Sequence, residues 1–280
     1  MASPLAVNTN VGSLNAQRNL SSTGRAVNKS IERLSSGLKI NSASDDAAGI
    51  AVAEGLRAQI GGFQQASENA NDAVALLATA EGAYNAISDI MVRMRELAVQ
   101  SSTDTLTDKE RAYIDTEYQD LSAEITRISD VTEYNGINLL DGTSGDGSGA
   151  MVFQVGTRNT ANDQITITLK DQDATALALN TTSVDDLANS QAAITAIDTA
   201  IDQLATDRAT LGSTSNELTL AVDNLANTIE NLSAARSQIE DADIAAESAE
   251  FTKNQVLMQA GVSMLSQANS TPQMGLRLLG

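Results

Sequence analysis

A heptad repeat of apolar residues in Ile194–Ile239 constrains the fold of this chain more than any other feature. Apolar side chains recur in steps of three and four, and they fill eleven of the fourteen seam positions, with Arg208, Ser215 and Arg236 as exceptions. Gly212 lies within the repeat, but a glycine costs a helix only about 1 kcal/mol. The pattern predicts one helix packed lengthwise against others. At about 1.5 Å per residue it would be about 70 Å long, so we expect a rod-like, mainly α coiled-coil bundle.

A second long helix is predicted from Ala47 to Gln100. Its seam has no polar member and consists of Phe63, Ala66, Ala70, Ala73, Leu77, Ala80, Tyr84, Ile87, Met91, Met94 and Ala98. Thr107 and Glu110 then fit a capping box, which predicts a third helix ending near Asp130. These two helices form an α-hairpin, and the 194–239 helix completes the bundle.

A small β region is predicted between the hairpin helices and the heptad helix. Asn135–Gly136 is a strong turn signal. Met151–Val155 and Gln164–Leu169 alternate with period two, which predicts a β-hairpin near residues 151–169. Residues 141–149 are rich in Gly, Ser and Asp and lack the ligand spacing of a calcium loop, so we expect a flexible linker there. Residues 170–190 are expected to form a polar loop.

Both ends of the chain carry amphipathic tracts, over residues 1–40 and again after residue 243. A bent connector near residues 35–49 follows the first tract, and Asp45 and Asp46 there are expected to cap backbone N–H groups. Each tract has only the other as an evident partner, so we expect the N- and C-terminal helices to pair. A lone helix pair is marginal in water, and contacts between copies that do not close generate a helical filament. The residues expected to drive such polymerisation are Leu20, Val27, Ile31, Leu34, Leu38, Phe251, Met258, Val262 and Leu265.

The composition excludes most enzyme and binding classes. The chain has no Cys, His or Trp, which rules out thiolate zinc sites and catalytic centres that need histidine or cysteine. A net charge of −19 and an aromatic content of 2 % argue against nucleic-acid and anionic-membrane partners. We therefore predict no enzyme activity and no cofactor. An acidic group near residues 241–250 is interpreted as a solvated turn and helix start rather than a metal site.

The sequence shows neither a membrane-spanning segment nor a cleaved signal peptide. There is no run of about eighteen apolar residues that could span a bilayer. Residues 1–17 lack the basic and apolar regions of a cleaved signal peptide. Taken alone, these observations predict a cytosolic protein.

Several stretches closely resemble bacterial flagellins, and together they cover nearly the whole chain. Only a short segment separates Leu169 from Ser190, where large flagellins carry variable outer domains, so the resemblance is to a minimal flagellin. The matching stretches are Glu32–Gly49, Val92–Gln100, Tyr134–Gly136, Phe153–Gly156, Ser233–Asp243 and Gln259–Gly261.

The resemblance implies a structural subunit of the hollow flagellar filament used for swimming. Residues 1–46 and 240–280 would form the inner tube, and residues 47–239 the surrounding wall. Export would follow the flagellar type III route without a cleaved signal peptide, which replaces the cytosolic prediction with an extracellular one. Implied partners are other copies of the chain, a secretion chaperone on the C-terminal helix, and the filament cap and hook-junction proteins.

A host Toll-like receptor is a further partner implied by the resemblance. In the family it reads an Arg-x-Arg-Glu-Leu stretch and a Glu on the next helix. The corresponding residues here are Arg93, Arg95, Glu96, Leu97 and Glu117. Alternatively, the same residues make subunit contacts in the filament.

Other classes of protein explain the sequence less completely. A hook–filament junction protein has similar ends, but the stretches Ala43–Gly49 and Ala235–Asp241 favour flagellin. A signalling coiled coil would need a membrane span or long antiparallel symmetry and would not carry a β-hairpin. The protease found in the outer domain of some flagellins would require that domain and a histidine, and the sequence has neither.

Overall fold

The computed structural model describes residues 9–277, except for the side chains of Asp146 and of residues 272–277. Residues 1–8 and 278–280 of the predicted terminal domains lie outside the described residues. Of the described residues, 74 % are helical, and the sheets are small and antiparallel, which confirms the predicted mainly α class. The helices are α1 (Val11–Ser36), α2 (Ala47–Ser101), α3 (Asp108–Val131), the single turn α4 (Ser144–Gly147), α5 (Leu187–Glu240) and α6 (Ile244–Arg277). The strands are β1 (Glu133–Tyr134), β2 (Ile137–Asn138), β3 (Ala150–Gln154) and β4 (Gln164–Thr168).

The chain divides into two compact units. The terminal unit comprises Met1–Ala58 with Asn231–Gly280, and the core unit comprises Gln59–Glu230. The divisions fall inside α2 and α5, whereas the sequence placed them at 46/47 and 239/240. Helix α2 begins at the first predicted boundary and α5 ends one residue after the second, so the outer turns of both helices belong to the terminal unit. The roles of the two regions as tube and wall remain predictions.

The core unit is built on the apolar seams of α2 and α5. Ten of the eleven predicted seam positions of α2 are buried, and Phe63 is half-buried. On α5, Ile197, Leu204, Leu211 and Leu218 are buried in the same cluster. The Arg208 exception to the heptad is explained by an ion pair, because its Nη2 lies 2.7 Å from Oε1 of Glu81 on α2.

Two side-chain devices fix the turn between α2 and α3. The predicted capping box is present, since Thr107 accepts from the Glu110 amide and the Glu110 side chain accepts from the Thr107 amide. Arg111 was not predicted to matter, yet it is only 6 % exposed. Its guanidinium donates to the carbonyls of Ser101, at 3.0 Å, and Thr103, at 2.6 Å. It thereby satisfies carbonyls that the end of α2 leaves without helical partners.

The predicted turn and hairpin are both present. Strands β1 and β2 pair antiparallel around Asn135 and Gly136, whose φ angles of 53° and 76° match a type I′ turn. Strands β3 and β4 pair antiparallel, in register from Ala150 opposite Thr168 to Gln154 opposite Gln164.

The predicted linker over residues 141–149 is wrong, because this segment folds into an ordered turn. Ser144 is buried, and its carbonyl accepts from the Gly149 amide at 3.0 Å. The Leu169 amide donates to the Gly149 carbonyl at 2.8 Å, which ties the turn to the end of β4. Gly149 has a φ of 77°, and a Cβ at this position would lie 2.2 Å from the Leu169 oxygen. The glycines here build a tight structure rather than a flexible one.

Residues 170–186 also differ from the polar loop predicted. Leu177, Leu179 and Val184 are buried in the core cluster. Lys170 Nζ and Gln172 Nε2 donate to the buried carboxylate of Asp207 on α5, at 2.6 and 3.0 Å. The segment is therefore part of the core, and α5 begins at Leu187, ahead of the heptad pattern.

Within the described residues, no helix is both long enough and apolar enough to cross a membrane. The same part of the chain contains no group of three or more Asp and Glu side chains arranged to hold a metal ion.

Candidate functional site

Helices α1 and α6 of the terminal unit pack against each other, as predicted, and the structure shows that they run antiparallel. Near one end, Asn10 Nδ2 donates to the Ala268 carbonyl at 2.7 Å. Near the other, Ser30 Oγ donates to Glu247 Oε1 at 2.6 Å, and Arg33 pairs with the same carboxylate. Glu247 lies in the first turn of α6, as predicted, but its half-buried carboxylate binds across the helix pair and is not solvated as expected.

The predicted polymerisation residues occupy different positions in this pair. Val27 is buried, whereas Ile31 and Val262 are 49 % and 54 % exposed. The half-buried members are Leu20, Leu34, Leu38, Phe251, Met258 and Leu265. The apolar stripes along α1 and α6 are therefore only partly covered by the contact between the two helices.

Leu38 corrects the predicted extent of the first helix. Gly37 ends α1 with a φ of 73°, a left-handed conformation that closes helices, and its amide donates to the Arg33 carbonyl. Leu38 therefore lies in the connector beyond the helix, where it forms an isolated antiparallel bridge with Asp241.

Ile31 and Val262 belong to a larger set of exposed apolar side chains in the terminal unit, and the sequence did not separate this set from the residues that hold the helix pair together. An apolar stripe that is wider than the surface one helix can cover contains both buried and exposed side chains. Only the packing of the two helices distinguishes them. The exposed members are Val11, Leu14, Ile31, Val52, Ile244, Val256, Leu257, Val262 and Met264. Six of these side chains, on α1 and α6, are available for contact with another molecule: Val11, Leu14, Ile31, Val256, Leu257 and Val262.

The two connectors of the terminal unit are joined to each other. The Lys39 amide donates to the Glu240 carbonyl at 2.6 Å, and the Ala242 amide donates to the Gly37 carbonyl at 2.9 Å. The bridge between Leu38 and Asp241 is thus closed by two backbone hydrogen bonds.

The predicted capping roles of Asp45 and Asp46 are confirmed. Asp46 Oδ1 accepts from the amides of Ala48 and Gly49 at the start of α2. Asp45 Oδ2 accepts from the Asn41 and Ser42 amides. Its Oδ1 lies 2.7 Å from Nζ of Lys29 on α1. The hydrogen bond from Lys29, followed by that from the Asn41 amide, lowers the Asp45 pKa to about 2.

A charged surface lies on α2 and α3 of the core unit. Arg93 donates to Glu117 Oε1 through Nη2, at 2.7 Å, and to Glu96 Oε2 through Nη1, at 3.1 Å. Arg95 Nε donates to Asp198 Oδ1 on α5 at 2.6 Å. The hydrogen bonds to Glu117 and Asp198 raise the pKa values of Arg93 and Arg95, respectively.

The structure brings four of the five predicted recognition residues to this surface and excludes the fifth. Arg93, Arg95, Glu96 and Glu117 are exposed, but Leu97 is 2 % exposed and packs in the core cluster. The turn of α2 that presents Arg93 and Glu96 outward points Leu97 inward. Direct recognition of the Leu97 side chain is therefore not compatible with the folded core.

Comparison with known proteins connects these surfaces to a family. The model of the bacterial flagellin N-terminal helical region matches residues 7–145, and that of the C-terminal helical region matches residues 194–279. The chain belongs to the bacterial flagellin family. It is 43 % identical to a flagellin of Halalkalibacterium halodurans and 41 % identical to one of Bacillus subtilis, with 98 % of this chain and 99 % of each relative covered.

A solved structure titled as a putative flagellar hook-associated protein from Vibrio parahaemolyticus has a similar fold. Its TM-score is 0.58, and the match covers 70 % of this chain and 100 % of the other. At 17 % identity this likeness shows the fold alone, so it does not favour the hook-junction alternative.

Membership in the family establishes what this flagellin does in outline. It is a structural subunit that polymerises into the bacterial flagellar filament, and it is not an enzyme. The filament is extracellular. No large outer domain interrupts the chain, which agrees with the minimal form predicted.

Proposed function

We propose that the terminal unit drives polymerisation through the apolar side chains that the α1–α6 pair leaves exposed. The supporting observation is the apolar surface on both helices, including Ile31 on α1 and Val262 on α6. Burying such side chains between copies stabilises each by about 1.5–3 kcal/mol. In this proposal residues 1–46 and 240–280 line the inner tube, and residues 47–239 form the wall.

Aspartate substitutions at the stripe test this proposal. Leu34→Asp, Leu265→Asp and Val262→Asp should each abolish filament growth, scored by electron microscopy of concentrated protein. Val262 is the most informative position, because its side chain is already exposed in the single subunit and its replacement leaves the α1–α6 contact in place.

The control is Ser266→Asp, which places the same charge on an exposed neighbour of Leu265. This variant should still polymerise. Circular dichroism should show that every variant keeps a folded core unit. Normal filaments from Val262→Asp and Leu265→Asp would contradict the proposal.

Before assembly, we propose, α6 is covered by a flagellar secretion chaperone during export through the type III route. Val256, Leu257 and Met264 give this helix an exposed apolar face that needs protection in an unassembled subunit. Assembly partners would be the filament cap and the hook-junction proteins. Val256→Asp with Leu257→Asp should abolish co-purification with the chaperone, and Leu14→Asp on α1 should not.

A second role is proposed for the surface of Arg93, Arg95, Glu96 and Glu117, namely recognition by a host Toll-like receptor. The support is their exposure together on adjacent helices. Arg93→Ala should lower receptor-dependent reporter activation by purified monomer at least about tenfold, as expected for a central arginine in an interface. Arg127→Ala is the matched control, because Arg127 is also exposed and paired with Glu124 on α3. Equal activity of the two variants would leave subunit contact as the role of this surface.

A further inference from the structure

A polar cleft of the core unit opens between β4, α5 and the buried face of α2. Its volume is about 300 Å³. The polar side chains that line it include those of Tyr84, Lys170, Thr206, Asp207, Thr210 and Thr214. Lys170 lies at the mouth with its side chain 54 % exposed, whereas the Asp207 side chain is 8 % exposed. Neither role proposed above for this flagellin uses this cleft.

Tyr84 brings a buried hydroxyl to the cleft without pairing it. The residue is 1 % exposed, and its hydroxyl forms no hydrogen bond with any residue that the structure describes. Tyr118 is equally buried, but its hydroxyl pairs with Thr182 Oγ1 at 2.7 Å. Buried tyrosine hydroxyls normally have a partner, because an unpaired polar group in a protein interior destabilises the fold. The position of Tyr84 therefore calls for a hydrogen-bonding group from outside the chain.

A second buried polar group without a partner lies beside Asp207. The Asp207 carboxylate accepts from Lys170 Nζ and from Gln172 Nε2, at 2.6 and 3.0 Å. Gln172 is fully buried, and its Oε1 has no hydrogen-bond partner among the described residues. A carboxylate can accept about four hydrogen bonds, so Asp207 has room for further donors. Burial, followed by the negative charge of Asp207, raises the pKa of Tyr84, which indicates that the phenol lies near this carboxylate.

The charges around the cleft are already balanced. Asp207 pairs with Lys170, and Glu81 pairs with Arg208. The hydroxyls of the three lining threonines of α5 donate to backbone carbonyls four positions earlier, which leaves their oxygens as acceptors. A ligand that fits must therefore be uncharged, accept from Tyr84 and donate to the surrounding oxygens. Water has these properties, and the cleft offers both the space and the two to four polar partners that a bound water requires.

We propose that ordered water occupies this cleft and bridges the Tyr84 hydroxyl to the Asp207 carboxylate. Tyr84 Oη donates to the water, and the water donates to a carboxylate oxygen. Helix α2, helix α5 and the segment after β4 thereby share one hydrogen-bonded network. The network joins three elements whose polar groups do not meet directly at this point.

The first experiment removes the Tyr84 hydroxyl and reads the sign of the effect on stability. Urea unfolding of the dilute full-length subunit compares Tyr84→Phe with wild type. If water pairs the hydroxyl, the unfolding equilibrium constant should rise about two- to tenfold, because a hydrogen bond is lost. An unpaired hydroxyl gives the opposite sign, because its removal relieves a desolvation cost. A constant that stays unchanged or falls would overturn the proposal.

Tyr118→Phe is the matched control, since it removes a buried tyrosine hydroxyl with a direct protein partner. Its unfolding constant should rise as well, which calibrates the effect of one such hydrogen bond in the same core.

The second experiment needs no variant and observes the ligand itself. A cryo-EM map of wild-type filaments that resolves bound water should show density about 2.8 Å from Tyr84 Oη, continuing as separate peaks to Asp207. Filaments of Tyr84→Phe should lose the peak next to residue 84. An empty cleft in a map that shows water elsewhere in the core unit, or one continuous density too large for water, would refute the bridge.

Discussion

Arg111 shows how one side chain secures the connection between two long helices. It closes the end of α2 by hydrogen bonds to the Ser101 and Thr103 carbonyls and also pairs with Asp108. We expect Arg111→Lys to lower the free energy of unfolding of the core unit by about 1–3 kcal/mol, because a lysine ammonium cannot reproduce this planar fork.

Urea denaturation measures this loss. Arg127→Lys alters an exposed pair on the same helix and should change stability by less than about 0.5 kcal/mol. Similar small effects at both positions would show that the buried fork contributes little.

Asp45 gives the connector of the terminal unit a defined response to acid. The hydrogen bond from Lys29, followed by that from the Asn41 amide, lowers the pKa of its carboxyl from 3.8 to about 2. Because the pKa of Asp45 is lower in the folded protein than in the unfolded chain, its ionised carboxylate stabilises the folded state fully well above pH 3.8. This stabilisation is lost as the pH falls through about 2. In the subunit with α1 folded against the connector, the amide NMR signals of Asn41 and Ser42 should therefore titrate with a midpoint near 2. The signals should lose this transition in Asp45→Asn, and a midpoint near 3.8 would show that the carboxylate is not held as described.

Sequence reasoning found some of these residues and missed others for a physical reason. Thr107 and Glu110 were predicted, because a capping box is encoded within four consecutive residues. Lys170 and Asp207 are far apart in the chain, and neither belongs to a local pattern. Their contact follows from the packing of the segment after β4 on α5, which only the fold reveals.

At the scale of elements, the turn before β3 depends on a glycine that no other residue can replace without strain. Gly149 has a positive φ, and a side chain there would collide with the Leu169 carbonyl. Gly149→Ala should lower the stability of the core unit by about 1–3 kcal/mol.

The matched substitution Gly82→Ala lies in the middle of α2, where a Cβ meets nothing within 4 Å. It should instead raise stability by about 0.5–1 kcal/mol. Thermal unfolding of the two variants should thus shift in opposite directions. Shifts of the same sign would contradict this interpretation of the turn.

The elements that could be predicted are those with a repeated pattern. The α2 seam and the β3–β4 alternation extend over enough residues to specify both structure and buried face. The composition of residues 141–149 is shared by flexible linkers and tightly folded turns, so it did not distinguish them. The buried Leu177, Leu179 and Val184 are too few and too irregularly spaced to indicate a core segment.

For the whole molecule, assembly should change the accessibility of the terminal helices. A helix pair with so much exposed apolar surface opens readily in a dilute subunit, and we predict disorder over residues 1–40 and 245–280 there. Trypsin should cut dilute protein rapidly at Arg18, Arg25 and Lys253, and polymerisation should protect these sites. Mass spectrometry of timed digests measures both states, with cleavage at Arg127 as a reference within the core unit. Termini that resist trypsin equally in dilute and assembled protein would show that the pair is stable alone.

The family, the mainly helical class and the pairing of the chain ends were all accessible from sequence. The location of the net charge of −19 was not accessible until the boundaries of the two units were known: the core unit carries all of it, because the terminal unit contains nine acidic and nine basic residues. Likewise, the stripes on α1 and α6 were visible as patterns, but which side chains remain exposed depends on how the two helices meet.

The bridge between Leu38 and Asp241 has a mechanical consequence. A pulling force on α1 passes into the connector that follows Gly37. The backbone hydrogen bonds of Lys39 and Ala242 transmit part of this force to the connector between α5 and α6. Tension is thus divided between two covalent strands, and neither bears it alone. A filament subunit under torsional load is strengthened where its two connectors share the force in this way.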